Sequence, residues 1–222
     1  MGCVWHCWNS TEAAPYITLA DAVTNAADGD TIKLLSDLSI ASAVPVDKSL
    51  TIDFGGFTVT STQKGIDFGW LSAPGTNSVL TLKNGKLSTA NWSVWVSNGG
   101  QLDVAADMTI ETTSSYNNRP AIHVGNPGSV LNLYGTVTSF ESAAISGNGS
   151  ANEAGVTVNI YDGAVVTSTA SAAIYFPNTE ELNVYGGTIT GYSAGIVIKA
   201  GTLNVSGGSV ICNGPVPRTP PS

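Results

Sequence analysis

A short two-strand unit recurs seven times along this sequence. Its clearest copy, LNVYGGTIT from Leu182, has an alternating run, a Gly-Gly turn and a second alternating run. The copies begin 21 to 30 positions apart, at Leu50, Leu80, Leu102, Leu131, Val158, Leu182 and Leu203. A unit of this size cannot bury its own apolar face, so neighbouring copies must stack into a solenoid.

Each copy alternates apolar and polar residues, which is the pattern of a strand with one buried face. In the copy quoted above, Leu182, Val184 and Ile189 share that face. Six of the connections hold another short strand, whose inward residues should form a buried ladder: Ile66, Val94, Ile122, Ile145, Ile174 and Ile196. Three strands per repeat, with like strands stacked on like, predict a parallel β-helix of about seven turns.

Both ends of the chain depart from the repeat. An apolar stripe at helical spacing begins after Thr18, and it predicts a helix over residues 19–27 that caps the first turn. Residues 1–14 are irregular and aromatic, whereas residues 214–222 contain four prolines, which cannot continue a central strand. We therefore expect an attachment segment (1–14), one β-helix (15–213) and a proline-rich tail (214–222).

The start of the β-helix resembles a known superfamily. The run ITLADAVTNAADGDTIKLL from Ile17, followed by VDKSLTIDFGGFTVT from Val46, is similar to the opening of right-handed parallel β-helix proteins of the pectate-lyase-like superfamily. It is closest in style to non-catalytic phage and bacterial surface members. The resemblance implies an all-β, right-handed, single-stranded parallel β-helix with a short N-terminal capping α-helix. It implies no single activity, because that superfamily includes lyases, hydrolases, adhesins, tailspikes and inert scaffolds.

Charge and hydropathy exclude several classes of partner. The net charge is −8 and only 8 residues are Lys or Arg, which argues against binding to nucleic acid or to an anionic membrane. No stretch reaches the roughly 20 apolar residues that span a bilayer. The first ten residues lack the basic start and apolar run of a signal peptide, so either a leader precedes these residues or the protein is made and folded in the cytoplasm.

The N-terminal segment has two interpretations. Cys3 and Cys7 flank His6, but a closed zinc site needs four ligands and no second ligand pair is visible, so we expect no metal and no cofactor. The other interpretation is an apolar anchor built from Val4, Trp5 and Trp8. Clustered surface tryptophans usually mark a contact surface, so we expect this segment to be an attachment site for a larger protein assembly and to stand outside the solenoid core.

Stacked copies also place outward residues in ladders. One ladder should stabilise the stack, because the amides of its last four members can hydrogen-bond up and down the stack: Thr51, Thr81, Asp103, Asn132, Asn159, Asn183 and Asn204. Beside it, Tyr134, Tyr161 and Tyr185 either stack on one another or present an aromatic strip to sugar rings. A third ladder consists of Asp67, Trp95, His123, Ser146, Tyr175 and Val197. Trp95, His123 and Tyr175, with Arg119 nearby, mark the predicted glycan groove.

Catalytic residues are not expected. Glycoside hydrolysis needs two carboxyl groups facing each other across the substrate, whereas Glu111, Glu141 and Glu153 fall in different sheets or loops. The NTD, DD, GHG and RIK motifs of the polygalacturonases are absent, and AIHVG around His123 does not supply GHG. Asn118-Arg119-Pro120 matches only two residues of the pectate-lyase RxPxxR pattern.

The function expected first is therefore a non-catalytic structural or attachment protein, a rigid rod displayed on a larger assembly. Such a rod made without a leader suits a phage virion, as a capsid decoration, head fibre or tail protein, because host lysis releases it. A bacterial cell-surface or secreted adhesin or glycan-binding module is the first alternative, and a polysaccharide lyase or hydrolase is the second. The expected partners are that larger assembly and glycans, and a homo-oligomer is left open.

Overall fold

The computed structural model describes residues 7–9, 15–68, 77–125, 127–147 and 155–215. Within these ranges the chain forms a parallel β-solenoid of about seven turns, which confirms the predicted architecture. Val4, Trp5, Cys3 and His6 lie outside the described residues, as do 216–222 of the predicted tail. The right-handed sense of winding stays a prediction.

Two elements precede the solenoid and 23 strands build it. The N-terminal elements are β1 (Cys7–Asn9) and α1 (Leu19–Asn25). The first four turns contain β2 (Thr31–Leu34), β3 (Leu38–Ser39), β4 (Val44–Val46); β5 (Leu50–Asp53), β6 (Thr58–Ser61), β7 (Ile66–Phe68); β8 (Val79–Lys83), β9 (Gly85–Thr89), β10 (Val94–Val96); β11 (Gln101–Val104), β12 (Met108–Thr112), β13 (Ile122–Val124). The next three contain β14 (Val130–Leu133), β15 (Thr136–Ser139), β16 (Ile145–Ser146); β17 (Thr157–Ile160), β18 (Val165–Ser168), β19 (Ala172–Phe176); β20 (Glu181–Val184), β21 (Thr188–Gly191), β22 (Ala194–Ile198). An incomplete last turn has β23 (Thr202–Val205) and β24 (Ser209–Cys212).

Like strands stack into three sheets around one core. The first sheet has nine strands and begins β1-β2-β5, the second has eight and begins β3-β6-β9, and the third has seven and begins β4-β7-β10. All pairings are parallel except that of β1 with β2. The register matches the predicted ladders: Leu102 pairs with Leu131, and Val94 pairs with Ile66 and Ile122.

The inward residues of the three sheets form one continuous hydrophobic core. Of the predicted third-sheet ladder, Ile66, Val94, Ile122, Ile145 and Ile174 are buried. Ile196 is only half-buried, contrary to the prediction, because its turn has just an incomplete turn beyond it. Gly187 explains the Gly-Gly turn of the repeat: its φ is 80°, and a Cβ there would lie 2.5 Å from the Ala164 carbonyl oxygen of the preceding turn.

Helix α1 covers the N-terminal end of the core. Thr18 caps it, because its Oγ1 accepts a hydrogen bond from the Asp21 backbone N–H (3.0 Å). The helix ends two residues before the predicted residue 27, since the Ala27 N–H donates instead to the Asp30 carboxylate (2.8 Å). Among the described residues, no helix is long and apolar enough to cross a membrane.

Strand β1 also belongs to this cap. It pairs antiparallel with β2, placing Cys7 opposite Leu34, and the Cys7 side chain is fully buried in the core. The prediction that the N-terminal segment stands outside the solenoid core is therefore wrong for Cys7. The Trp8 side chain, which alternates with Cys7, is 39% exposed at this end.

The C-terminal end is open. Leu203 pairs with Leu182 one turn earlier, yet Leu203 is 40% exposed whereas Leu182 is fully buried. Every residue of β23 and β24 is exposed. Gly214, at the start of the predicted tail, still donates its N–H to the Tyr192 carbonyl oxygen (2.7 Å). The described residues thus cap one end of the core and leave the other uncovered.

A candidate ligand groove on the third sheet

Four successive outward positions of the third sheet form the floor of a groove. Trp95 pairs with His123, His123 with Ser146, and Ser146 with Tyr175, in the predicted register. Stacked strands lie about 4.8 Å apart. The small Ser146 lies between His123 and Tyr175 on the neighbouring strands, so it leaves a recess between their larger side chains. The groove has a volume of about 630 Å³.

One wall of the groove is a long loop. Residues 113–121 connect β12 to β13 with nine residues, whereas the corresponding connections in the other turns have two to five. This loop contributes Asn117, Asn118, Arg119 and Pro120 to the lining. An insertion confined to one turn and placed beside a cavity is typical of a binding loop on a repeat scaffold.

The lining of the groove is also aromatic. Trp92 packs edge-on against Trp95, with ring centroids 5.5 Å apart. The Lys64 ammonium lies 5.0 Å from the Trp92 ring centroid, and the Lys199 ammonium lies 5.9 Å from that of Tyr175. Both distances are within the range of a cation–π contact. The groove therefore combines ring surfaces with positive charge.

His123, on the floor of the groove, is a buried histidine with a lowered pKa. Its ring stacks on Trp95 with centroids 3.7 Å apart, and its side chain points away from the core, yet the residue is only 5% exposed. This burial lowers the pKa of His123 to about 4, so the imidazole is neutral at pH 7. Its Nε2 has no hydrogen-bond partner among the described residues.

A second nitrogen lacks a partner beside it. The Nε atom of Arg119, on the loop wall, is buried and makes no hydrogen bond within the described part of the chain. Buried polar atoms are nearly always paired, so two residues that line one cavity and each hold such an atom indicate a place for a ligand with hydrogen-bonding groups. Neither atom is needed to hold the solenoid together.

The described lining of the groove contains no carboxyl group. Its described lining residues include Lys64 and Arg119 but neither Asp nor Glu. Asp67, one rung before Trp95, is buried under its neighbours. A neutral histidine with a pKa near 4 is a weak general base at pH 7. Among the described residues there is also no cluster of three or more His, Cys, Asp or Glu side chains that would hold a metal ion.

The predicted tyrosine strip lies elsewhere, on the first sheet. Tyr134 and Tyr161 stack nearly parallel with centroids 4.3 Å apart, and Tyr161 stacks on Tyr185 at 5.2 Å. Tyr161 lies between the other two rings, whereas Tyr134 and Tyr185, at the two ends of the stack, are 39% and 49% exposed. The rings therefore stack on one another, as the first of the two predicted alternatives requires.

The adjacent side-chain ladder is also complete in itself. Asn204 donates to Asn183, Asn183 to Asn159, Asn159 to Asn132, and Asn132 to Asp103, with N···O distances of 2.8 to 2.9 Å. Burial and hydrogen bonding to Tyr134 raise the pKa of Tyr161, which is therefore neutral at pH 7. The predicted amide ladder is confirmed.

The structure brings together Trp95, His123 and Tyr175 but not the tyrosine strip. Sequence reasoning missed Lys64, Trp92, Asn117 and Asn118, although the long connection between β12 and β13 pointed to the loop.

At the N-terminal end, burial raises the pKa of the Cys7 thiol to about 12, so this cysteine is an inert core residue. No protein-family model, curated protein or solved structure matches this chain.

Proposed function

We propose that this chain is a non-catalytic β-solenoid rod, displayed on a larger assembly, whose third-sheet groove binds carbohydrate. The observation that carries the proposal is that His123 and Arg119, each with a buried nitrogen that has no partner in the described part of the chain, line one groove together with aromatic residues. Sugars match such a site because they present an apolar ring face to aromatic side chains and hydroxyl groups to polar ones.

The floor and the wall of the groove would contribute in different ways. The exposed part of the Tyr175 ring offers a surface for stacking at one end of the recess. Arg119 Nε–H and the side chains of Asn117 and Asn118 offer hydrogen bonds from the loop wall. His123 Nε2, held in place by the stack on Trp95, offers a further hydrogen bond from the floor.

A binding role is favoured over catalysis by the electrostatics of the groove. Hydrolysis would need a proton donor and a carboxylate on opposite sides of the bond that breaks. The charged side chains along the described lining are Lys64 and Arg119, both cationic. This charge favours retention of a polar or acidic sugar over cleavage of a glycosidic bond.

We propose a phage virion as the larger assembly, with a bacterial cell surface as the alternative. The proposal rests on the rod architecture, on the low charged fraction of 11% and on the exposed apolar groups at the capped end. Trp8, Ile17 and Leu35 are exposed there. A mainly apolar cavity of about 500 Å³ lies beside α1 and β3. Exposed aromatic and aliphatic side chains beside a cavity are typical anchors for a partner.

Glycan binding is tested with an array of bacterial and plant polysaccharides. We expect wild-type protein to bind a subset of them, and a bound saccharide to change tryptophan fluorescence because Trp92 and Trp95 line the groove. Arg119→Gln and Tyr175→Leu should each weaken binding at least tenfold. Tyr192→Leu is the matched control, since Tyr192 is exposed outside the groove. Equal binding by all four proteins would contradict the proposal.

Catalysis is tested on the same polysaccharides. We expect neither new reducing ends nor unsaturated products after prolonged incubation with wild-type protein. Turnover that His123→Ala abolishes would show that the groove is an active site.

Attachment through the capped end is tested separately with Trp8→Ser, which should reduce incorporation into the parent particle while the solenoid keeps its thermal midpoint.

A further inference from the structure

The C-terminal face of the solenoid, formed by β22, β23, β24 and the side chains of Leu203, Val205 and Val210, has the features of a protein interface. These three apolar side chains occupy core positions: the residues paired with them one turn earlier, Leu182, Val184 and Ile189, are buried. Val205 is nevertheless 56% exposed and Val210 is 47% exposed. The face is thus a core cross-section without its next layer.

The strand edges of this face are unprotected. Among the described residues, β22, β23 and β24 are the last strands of their sheets, so each pairs with another described strand on one side only. Proteins usually block such edges with charged residues, proline or bulges. The stretch from Gly201 to Asn213 contains no charged residue and no proline. At the other end, by contrast, α1 and the antiparallel β1 cover the core.

We propose that the C-terminal face binds the same face of a second copy, giving a two-fold dimer joined end to end. Association side by side would leave the face open, and stacking head to tail is blocked because α1 and β1 occupy the N-terminal end. Of the closed symmetric arrangements, only a two-fold axis perpendicular to the rod brings two identical ends together.

The chemistry of the face fits a copy of itself. A two-fold axis perpendicular to the rod makes the facing strands of the two copies run in opposite directions. Each free strand edge therefore meets an antiparallel edge, which pairs at least as well as a parallel one. The protein carries a net charge of −8, but this face carries none, so two copies meet without like-charge repulsion. The capped ends, each with an exposed Trp8, then lie at the two far ends of the dimer.

The test is the molar mass of the full chain in solution, measured by light scattering and sedimentation over a range of concentrations. We expect a dimer that dissociates on dilution. Val205→Glu and Val210→Glu should each raise the dissociation constant at least tenfold, and both sites are exposed enough to accept a carboxylate in the folded monomer. Val165→Glu, the same change at an exposed position in the middle of the rod, should have no effect.

Competing occupants of the face give different results. A wild-type monomer that dimerises only after residues 215–222 are removed would assign the face to the chain's own tail and overturn the proposal. A wild-type monomer that stays monomeric after the same truncation would overturn it too. A dimer that Trp8→Ser disrupts and Val205→Glu leaves intact would place the interface at the capped end, again against the proposal. Amide exchange should slow in β23 and β24 at high protein concentration.

Discussion

The outer faces of the first and third sheets differ in whether their polar side-chain atoms have hydrogen-bond partners. On the first sheet, each ladder amide from Asn132 to Asn183 has a partner above and below it, and the neighbouring tyrosines stack face to face. On the third sheet, His123 and Arg119 each have a buried nitrogen without a partner in the described part of the chain. A complete ladder stabilises the fold, whereas an incomplete one costs stability until a ligand completes it.

The largest expected effect comes from acid. Burial lowers the pKa of His123 to about 4 from its ordinary 6.5, so between these values the unfolded chain binds a proton that the folded chain does not. Stability is therefore full at pH 7 and decreases as the pH falls through 6.5 towards 4. At about 1.4 kcal/mol per pKa unit, the loss in the free energy of unfolding should approach roughly 3 kcal/mol. Urea denaturation at pH 7 and at pH 4 measures this loss.

His123→Phe is the control for this effect, because it keeps a ring against Trp95 and removes the titrating group. The carboxyl groups titrate in both proteins, so the difference between them isolates the histidine. An identical loss of stability in the variant would show that His123 is already protonated, or accessible to water, in the folded state.

Breaking the amide ladder in its middle should have the next largest effect. Asn159→Ala removes the bond to Asn132 and the bond from Asn183, and it leaves both neighbours with an unpaired atom. At about 1 kcal/mol for each hydrogen bond, with an added cost for the stranded groups, we expect a loss of roughly 2 to 3 kcal/mol. Asn204→Ala, at the open end, removes one bond only and should cost about 1 kcal/mol. Equal costs at the two sites would argue against a cooperative ladder.

The tyrosine stack should contribute less. Tyr161→Leu keeps an apolar side chain but loses two ring contacts, each worth about 0.5 to 1.5 kcal/mol. Because the neighbouring rings are partly exposed, we expect thermal unfolding to report a loss in the lower part of that sum, roughly 1 to 2 kcal/mol. Tyr116→Leu is the comparison, because Tyr116 is exposed on the groove loop. If both variants lose the same stability, the stacking of the tyrosine rings adds nothing to the stability of the fold.

The smallest effect on stability should come from the groove wall. Arg119→Gln removes a buried nitrogen that has no partner, so the free energy of unfolding should change by less than about 0.5 kcal/mol or rise. Chemical denaturation beside the glycan-binding assay separates the two roles. A large loss of stability would mean that Arg119 supports the fold, and the contrast between the two sheets would fail.

The ladders could be predicted from the sequence because a strand has a side-chain period of two. Shifting any strand by one residue would turn its apolar residues outward, so Leu102 has to stack on Leu80 and below Leu131. This register also placed Trp95 beside His123. The end of α1 was less predictable, since it depends on a hydrogen bond from Ala27 to the Asp30 carboxylate.

The remaining features depend on contacts between distant segments. Cys-Trp-Asn is too short to show an alternating pattern, so nothing in residues 7–9 indicates that β1 pairs with β2. The outward register of His123 likewise suggested an accessible side chain. Its burial comes from the Trp95 ring and its place in the groove beside the 113–121 loop, whose conformation local sequence does not determine.

The amide ladder has a direction as well as a register. Every amide donates towards the N-terminal end, and the run finishes at Asp103, whose carboxylate can only accept. One carboxylate therefore selects one of two flip states for Asn132, and each amide passes that choice to the next, over roughly 20 Å of stacked strands. The dipoles add along the stack, so each new turn meets an acceptor that is already oriented. Turning over any one of the amides between Asp103 and Asn204 would place oxygen against oxygen on one side and N–H against N–H on the other, so the amides keep one orientation as a group.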